Sequence, residues 1–197
     1  MEQRSGGAGV AVGAEPTRRR FTRQEYHRMG EVGILKPTDR VELIRGEIVC
    51  LSPIGRRHSA FVSNLTELLV LRLTGRGIVW VQSPVVLADD SEPQPDLVVL
   101  RRRPVPYKDA DATAADAALL IEVAESSLRY DRSTKLALYA EAGIAEYWIV
   151  DCPAEAVEVY RSPGPRGYGD VTRVSGGGRV SPLAFPDVFI ALSEIFA

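Results

Sequence analysis

The sequence predicts one domain built on a β-sheet flanked by helices, of α/β or α+β class, and three observations predict it. Apolar residues recur at helical spacing over residues 57–74, at Phe61, Leu65, Leu68, Leu69 and Leu73. Short continuous apolar runs bounded by turn residues, Leu-Val-Val-Leu after Asp96 and Leu-Leu-Ile before Glu122, read as buried strands. Along the chain these elements follow the order helix, hairpin, helix, strands, helix, strands.

Each element has a local cause. Residues 1–16, rich in Gly and Ala, read as a disordered tail, which leaves 17–197 as the folded domain. Thr22 with Glu25 forms a capping box that starts a short helix ending near Gly30. Residues 39–51 alternate as a hairpin about Arg45-Gly46. A strand is expected over 77–87, bent at Pro84, and a turn over 92–95 leads into the strand after Asp96. Residues 101–116 read as a loop and 119–124 as a buried strand. Asp131 is a suitable N-cap for a helix that Gly143 stops. Strands follow at 146–151 and 156–161, then a glycine-rich turn between edge strands over 164–178, then a short terminal helix.

Composition narrows the function. With 45% hydrophobic and 25% charged residues the chain is an ordinary globular protein. Its net charge of −2 announces no global field for nucleic acid, although a local basic cleft is compatible with it. Cys50 and Cys152 lack zinc-site spacing and read as apolar strand residues. No apolar run reaches membrane-spanning length and no signal-peptide core is present, so the expected compartment is the cytoplasm.

The chemistry concentrates in two carboxylates. Asp96 and Glu122 each sit in an apolar strand, where an ionised carboxylate is costly unless a cation, a hydrogen-bond network or a proton neutralises it. If the strands pair, both face one point, and hard oxygen ligands of this kind suit Mg²⁺ or Mn²⁺. Lysine is scarce: of 24 basic residues only Lys36, Lys108 and Lys135 are lysines. Lys135 falls one turn into the helix after Glu122, within reach of the same point. A structural alternative is that Asp96 caps a backbone amide, Glu122 pairs with Arg129 or Arg132, and Lys135 makes a surface i,i+4 pair.

The run from Pro95-Asp96 through Glu122 and Lys135 to Asp151, with the upstream stretch 42–58, closely resembles the Uma-type restriction-endonuclease family of the PD-(D/E)XK nuclease superfamily. The resemblance spans roughly residues 21–160. It implies a restriction-endonuclease-like mixed sheet with helices on both sides and an N-terminal hairpin. It also implies a Mg²⁺- or Mn²⁺-dependent DNA endonuclease, with Asp96, Glu122 and Glu42 as catalytic, metal-holding acids. The usual lysine two residues after the acid is Ala124 here, which makes Lys135, on the next helix, the catalytic candidate.

His58, with Arg56 and Arg57, is the candidate contact to nucleic-acid phosphate, and the alternative for His58 is to orient a ligand. Gln82 is a possible lining residue, and Tyr139 is expected to pack on the lysine stem or the sheet. Double-strand cutting suggests a homodimer, with the C-terminal edge strands as natural interface. The alternatives are a catalytically silent interaction module of the same fold, or a hydrolase of small phosphate esters.

Overall fold

The computed structural model describes residues 17–197, so the tail expected at 1–16 lies outside the described residues. The centre is a six-stranded mixed sheet in the order β3-β4-β5-β6-β7-β8. Its strands are β3 (Gly77–Val81), β4 (Leu97–Arg101), β5 (Ala117–Ala124), β6 (Glu146–Asp151), β7 (Ala156–Gly164) and β8 (Gly167–Ser175). Every neighbouring pair is antiparallel except β5 and β6, which run parallel because a helical crossover joins them. The predicted sheet flanked by helices is therefore present, and it is mixed.

The period of two along each strand splits the core into two layers. Leu97, Val99, Leu119, Ile121, Trp148 and Val150 face α2 (Arg56–Leu73) and the C-terminal α5 (Leu192–Ile195). Val98, Leu100, Leu120, Tyr147 and Ile149 face the crossover, whose Leu138 and Tyr139 pack onto them. All eight residues of β5 and all six of β6 are buried. Fully burying a side chain such as Leu119 or Ile121 is worth roughly 1.5–3 kcal/mol. An uncompensated carboxylate in the same strand would cancel several of them.

Helix α1 (Arg23–Glu31) opens with the predicted capping box, Thr22 and Glu25 each bonding the other's backbone. The hairpin β1 (Val41–Ile44) and β2 (Glu47–Cys50) turns at Arg45-Gly46, where both residues have positive φ. It forms a separate two-stranded sheet, tied to the centre where Leu43 bridges Glu92.

Three expectations differ in detail. Strand β3 stops at Val81 because Gln82 takes a left-handed φ of 45°, which ends the ladder. Residues 164–178 are not simply a turn: Gly167–Ser175 form β8, paired with β7, and the left-handed backbone falls on glycines at its two ends, with φ of 103° at Gly167 and 60° at Gly176. The crossover does not begin at Asp131. It starts with α3 (Leu128–Tyr130), passes through a π-helical turn (Asp131–Lys135) and continues as α4 (Leu136–Glu141). Asp131 is thus inside the helix, and its carboxylate is free of capping duty. Among the described residues no helix is long and apolar enough to cross a membrane.

Candidate functional site

Strand register brings the two acids together. In the β4–β5 ladder Leu97 faces Ile121 and Val98 faces Leu120. Continued by one residue, that register sets Asp96 opposite Glu122. Both are buried, at 9% and 6% exposure. Like charges directly across a strand pair repel, so this arrangement costs energy unless something cationic offsets it.

Part of the offset is Lys135, itself only 3% exposed. Its Nζ donates to Glu122 Oε1 at 2.9 Å and to Glu42 Oε2 at 2.7 Å. Glu42 arrives from β1 and is fully buried. Tyr139, one turn beyond the lysine, donates its hydroxyl to Glu122 Oε1 at 2.7 Å. The tyrosine thus packs near the lysine and also fixes the acid. The structural alternative in which Glu122 pairs with an arginine is not what forms: Arg132 turns to Glu158 on β7 instead.

Glu42 is placed differently from the metal-holding role that the resemblance implies. Its Oε2 also accepts the backbone N–H of Gln94 at 3.1 Å, and the Tyr130 hydroxyl lies 3.5 Å from Oε1. With both oxygens engaged and Lys135 between it and Glu122, Glu42 acts on the lysine.

Asp96 is held by Oδ2, which accepts the Val123 N–H at 2.8 Å. Its Oδ1 lies 3.1 Å from His58 Nε2 and 3.5 Å from the Gln82 amide. His58 stands in the first turn of α2 and is anchored through Nδ1, 2.9 Å from the Val123 carbonyl. Because a carbonyl only accepts, Nδ1 carries the proton. The Nε2 atom is buried and, among the described residues, finds no aligned hydrogen-bond partner, in spite of its closeness to Asp96.

Asp96, Glu122, Lys135, His58 and Gln82 line one cavity of about 320 Å³, together with Gln94, Asp131 and, at the rim, Arg40, while Glu42 and Tyr139 stand behind its wall. Asp131 was not singled out as a site residue by the sequence. It is 3% exposed and accepts from Ser127 Oγ at 2.6 Å. The π-helical turn carries it and Lys135 into the same cavity. Such turns are over-represented at functional sites, but sequence periodicity does not reveal them. Gly55, the N-cap of α2, offers no capping side chain, and a Cβ there would collide with the Glu125 carboxylate. Arg56 is exposed and outside the cavity lining, and Arg57 donates to the Cys152 carbonyl at 2.9 Å. Of the candidate phosphate contacts, only His58 therefore reaches the cavity.

The electrostatics are those of excess negative charge. Burial, reinforced by Asp96, Asp131 and Glu42 and opposed by Lys135, pushes the Glu122 carboxyl up to about 8. Burial raises Asp131 to about 6, against the Ser127 hydrogen bond and Lys135. Desolvation works against the Lys135 ammonium, yet Glu122 and Glu42 outweigh it and raise its proton affinity. The closeness of Asp96 raises His58, against burial.

A divalent ion fits this donor set. Among the described residues no three His, Cys, Asp or Glu side chains already form a metal-holding group. Mg²⁺, however, is commonly held by one or two carboxylates, with waters and substrate phosphate completing the shell. Two facing carboxylates and a buried ring nitrogen without an aligned partner satisfy that requirement.

Comparison with known proteins agrees with the fold. A solved structure described as "a putative nuclease belonging to DUF820" from Anabaena variabilis superposes with a TM-score of 0.69 at 17% identity, covering 89% of this chain and 97% of the other. The uncharacterized protein sll1609 from Synechocystis is 26% identical over 134 residues, 66% of this chain and 76% of the relative. The profile of the Uma2 family, described as "Putative restriction endonuclease", matches residues 23–193. With nearly the whole folded domain inside that match, the chain belongs to the Uma2 family.

Proposed function

We propose that this protein is a divalent-metal-dependent endonuclease that hydrolyses phosphodiester bonds in DNA. The observation that carries the reading is the convergence of Asp96, Glu122 and Lys135, far apart in sequence, on one cavity. Asp96 and Glu122 are the acids that would hold Mg²⁺ or Mn²⁺. When bound, such an ion supplies Lewis acidity to the phosphodiester and lowers the pKa of a water.

The chain's own groups do the rest. Lys135 presents a fixed positive charge where negative charge accumulates on phosphate oxygens in the transition state. Because two carboxylates hold its proton tightly, the lysine is a poor acceptor of a proton from water. The electrostatic role is therefore favoured over that of general base. Glu42 and Tyr139 set the reach of Lys135 and Glu122 through the hydrogen bonds described above. Arg40 at the rim is a cation available to an incoming phosphate, and His58, from the start of α2, lines the same space. A homodimer belongs to the same proposal, since two sites are needed to cut both strands, and β8 offers an unpaired sheet edge for it. Analytical ultracentrifugation of the full chain tests that part.

Cleavage of supercoiled plasmid with Mg²⁺ or Mn²⁺ tests the whole. Asp96→Asn should abolish metal-dependent nicking while the folded state persists. Equal cleavage by wild type and variant would remove this mechanism. An inert wild type whose Mn²⁺ binding does not depend on Asp96 would favour the silent interaction module.

A further inference from the structure

The buried nitrogen of His58 lacks an aligned partner although it lies 3.1 Å from a carboxylate oxygen. With Nδ1–H committed to the Val123 carbonyl, neutral His58 aims the Nε2 lone pair into the cavity beside the lone pairs of Asp96 Oδ1. Two acceptors so close repel unless a third body lies between them. A proton on Nε2 is one solution, but it would point away from the line to Oδ1, because the contact fails as a hydrogen bond.

A metal ion is the other solution, and the geometry has its signature. Adjacent ligands of an octahedral ion at about 2.1 Å stand about 3.0 Å apart, each donor axis about 45° off the line to its neighbour. The observed 3.1 Å separation matches the first feature, and a nitrogen that close without a hydrogen bond is what the second requires. Ligating histidines also characteristically donate their other ring N–H to a carbonyl or carboxylate, as Nδ1 does here.

We infer that His58 Nε2 and Asp96 Oδ1 are adjacent ligands of one divalent cation, and that the imidazole biases the site toward transition ions over Mg²⁺. This assigns His58 to the metal directly, where the sequence leaves contact with phosphate and orientation of a ligand both open. It rests on the nuclease reading only in taking the ion to be the catalytic one. Nitrogen donors follow the rise in affinity from Mn²⁺ to Co²⁺ and Ni²⁺, whereas carboxylate and water shells suit Mg²⁺. The site should therefore prefer Co²⁺ to Mn²⁺ and Mn²⁺ to Mg²⁺.

The test uses the full chain, Mn²⁺ as probe, and readouts other than cleavage. Pulsed EPR of the Mn²⁺-loaded protein should show coupling to an imidazole nitrogen, altered by ¹⁵N-histidine labelling. The sequence has two histidines, and the other, His27, sits beside Glu92 away from the cavity. A His27→Gln variant should thus keep the signal. His58→Asn retains an amide donor near the Nδ1 position and deletes Nε2. It should lose the coupling and weaken Mn²⁺ binding in calorimetry by at least about tenfold, the scale on which even outlying partners of a ligand act. The preference for Co²⁺ over Mg²⁺ should shrink in the same variant. Should His58→Asn fail to fold, the isotope experiment on wild type decides alone. Asp96-dependent Mn²⁺ binding without nitrogen coupling overturns this inference and leaves the nuclease reading standing. No Mn²⁺ binding by wild type overturns both.

Discussion

Two groups of buried charge share one face of the central sheet, and they are built on different terms. On β6 and β7, Asp151 and Glu158 meet Arg132 and Arg173: two acids, two bases. Arg132 lies 3.0 Å from Glu158, and Arg173 lies 3.2 Å from Asp151. Tyr160 adds a hydroxyl to Glu158 at 2.7 Å. Across the crossover, Glu42, Asp96, Glu122 and Asp131 stand near one buried ammonium, Lys135, which bonds Glu42 and Glu122. The π-helical turn feeds both groups, sending Arg132 to one side and Lys135 with Asp131 to the other. The matched group behaves as structure. The mismatched one retains a demand for positive charge that the fold leaves unmet, and this is the demand that the proposed metal ion would meet. What distinguishes a functional cluster here is charge imbalance under burial, since both clusters are buried and both are hydrogen-bonded.

Removing a cation from each group is the strongest way to break the comparison. Lys135→Met strips the partner from two buried carboxylates and should cost about 3–5 kcal/mol in urea unfolding. Arg173→Met removes a half-exposed cation whose neighbours keep Arg132, and about 1 kcal/mol or less is expected. Similar costs at both sites would show that the imbalance has no energetic meaning.

Glu122→Gln sharpens the contrast in the opposite sense. It relieves like charges facing across β4 and β5 and should stabilise the metal-free protein, by roughly 1 kcal/mol, while abolishing cleavage. The gain should depend on pH. With its folded value raised to about 8 from near 4.5, Glu122 favours the fold fully below pH 4.5 and loses that contribution as pH rises through 8. The advantage of the variant should thus grow between those limits, measured by thermal unfolding in EDTA. A loss of stability at high pH would mean that the Lys135 pair outweighs the repulsion.

The smallest effect is expected at Glu158. Burial raises its carboxyl, but hydrogen bonds from Arg132, Tyr160 and Arg173 win and hold it below the ordinary value of 4.5. Its contribution is present above that value and disappears as pH falls through the lower folded value. Glu158→Gln should flatten the acid limb of the stability profile and leave the alkaline limb and the cleavage rate unchanged. The two clusters would then respond to pH with opposite signs, and a shared sign would erase the distinction between them.

Much of this was legible before any coordinates. The hairpin turn at Arg45-Gly46, the capping box at Thr22 and the buried face of α2 follow from local chemistry and spacing. Asp96, Glu122 and Lys135 stood out because each breaks a local rule: acids in apolar strands, and a lysine in an arginine-rich chain. Asp131 was read as a helix cap because Asp before a helical pattern usually is one. A π-helical turn is set by packing against the sheet and leaves no period of its own. Gly167–Ser175 was obscured by its glycines, since strand propensity is low there and pairing with β7 decides the outcome.

The sequence by itself determined the alternation of strands and helices, the two core layers, and the identity of the groups able to do chemistry, because these depend on side-chain type and on periods of two and 3.6. Only the tertiary structure decided which acids hold the lysine, which acid stands beside His58, and what His58 lacks. Those outcomes depend on strand register and on distances between residues tens of positions apart. A one-residue slip between β4 and β5 would keep every local pattern and turn Asp96 away from Glu122.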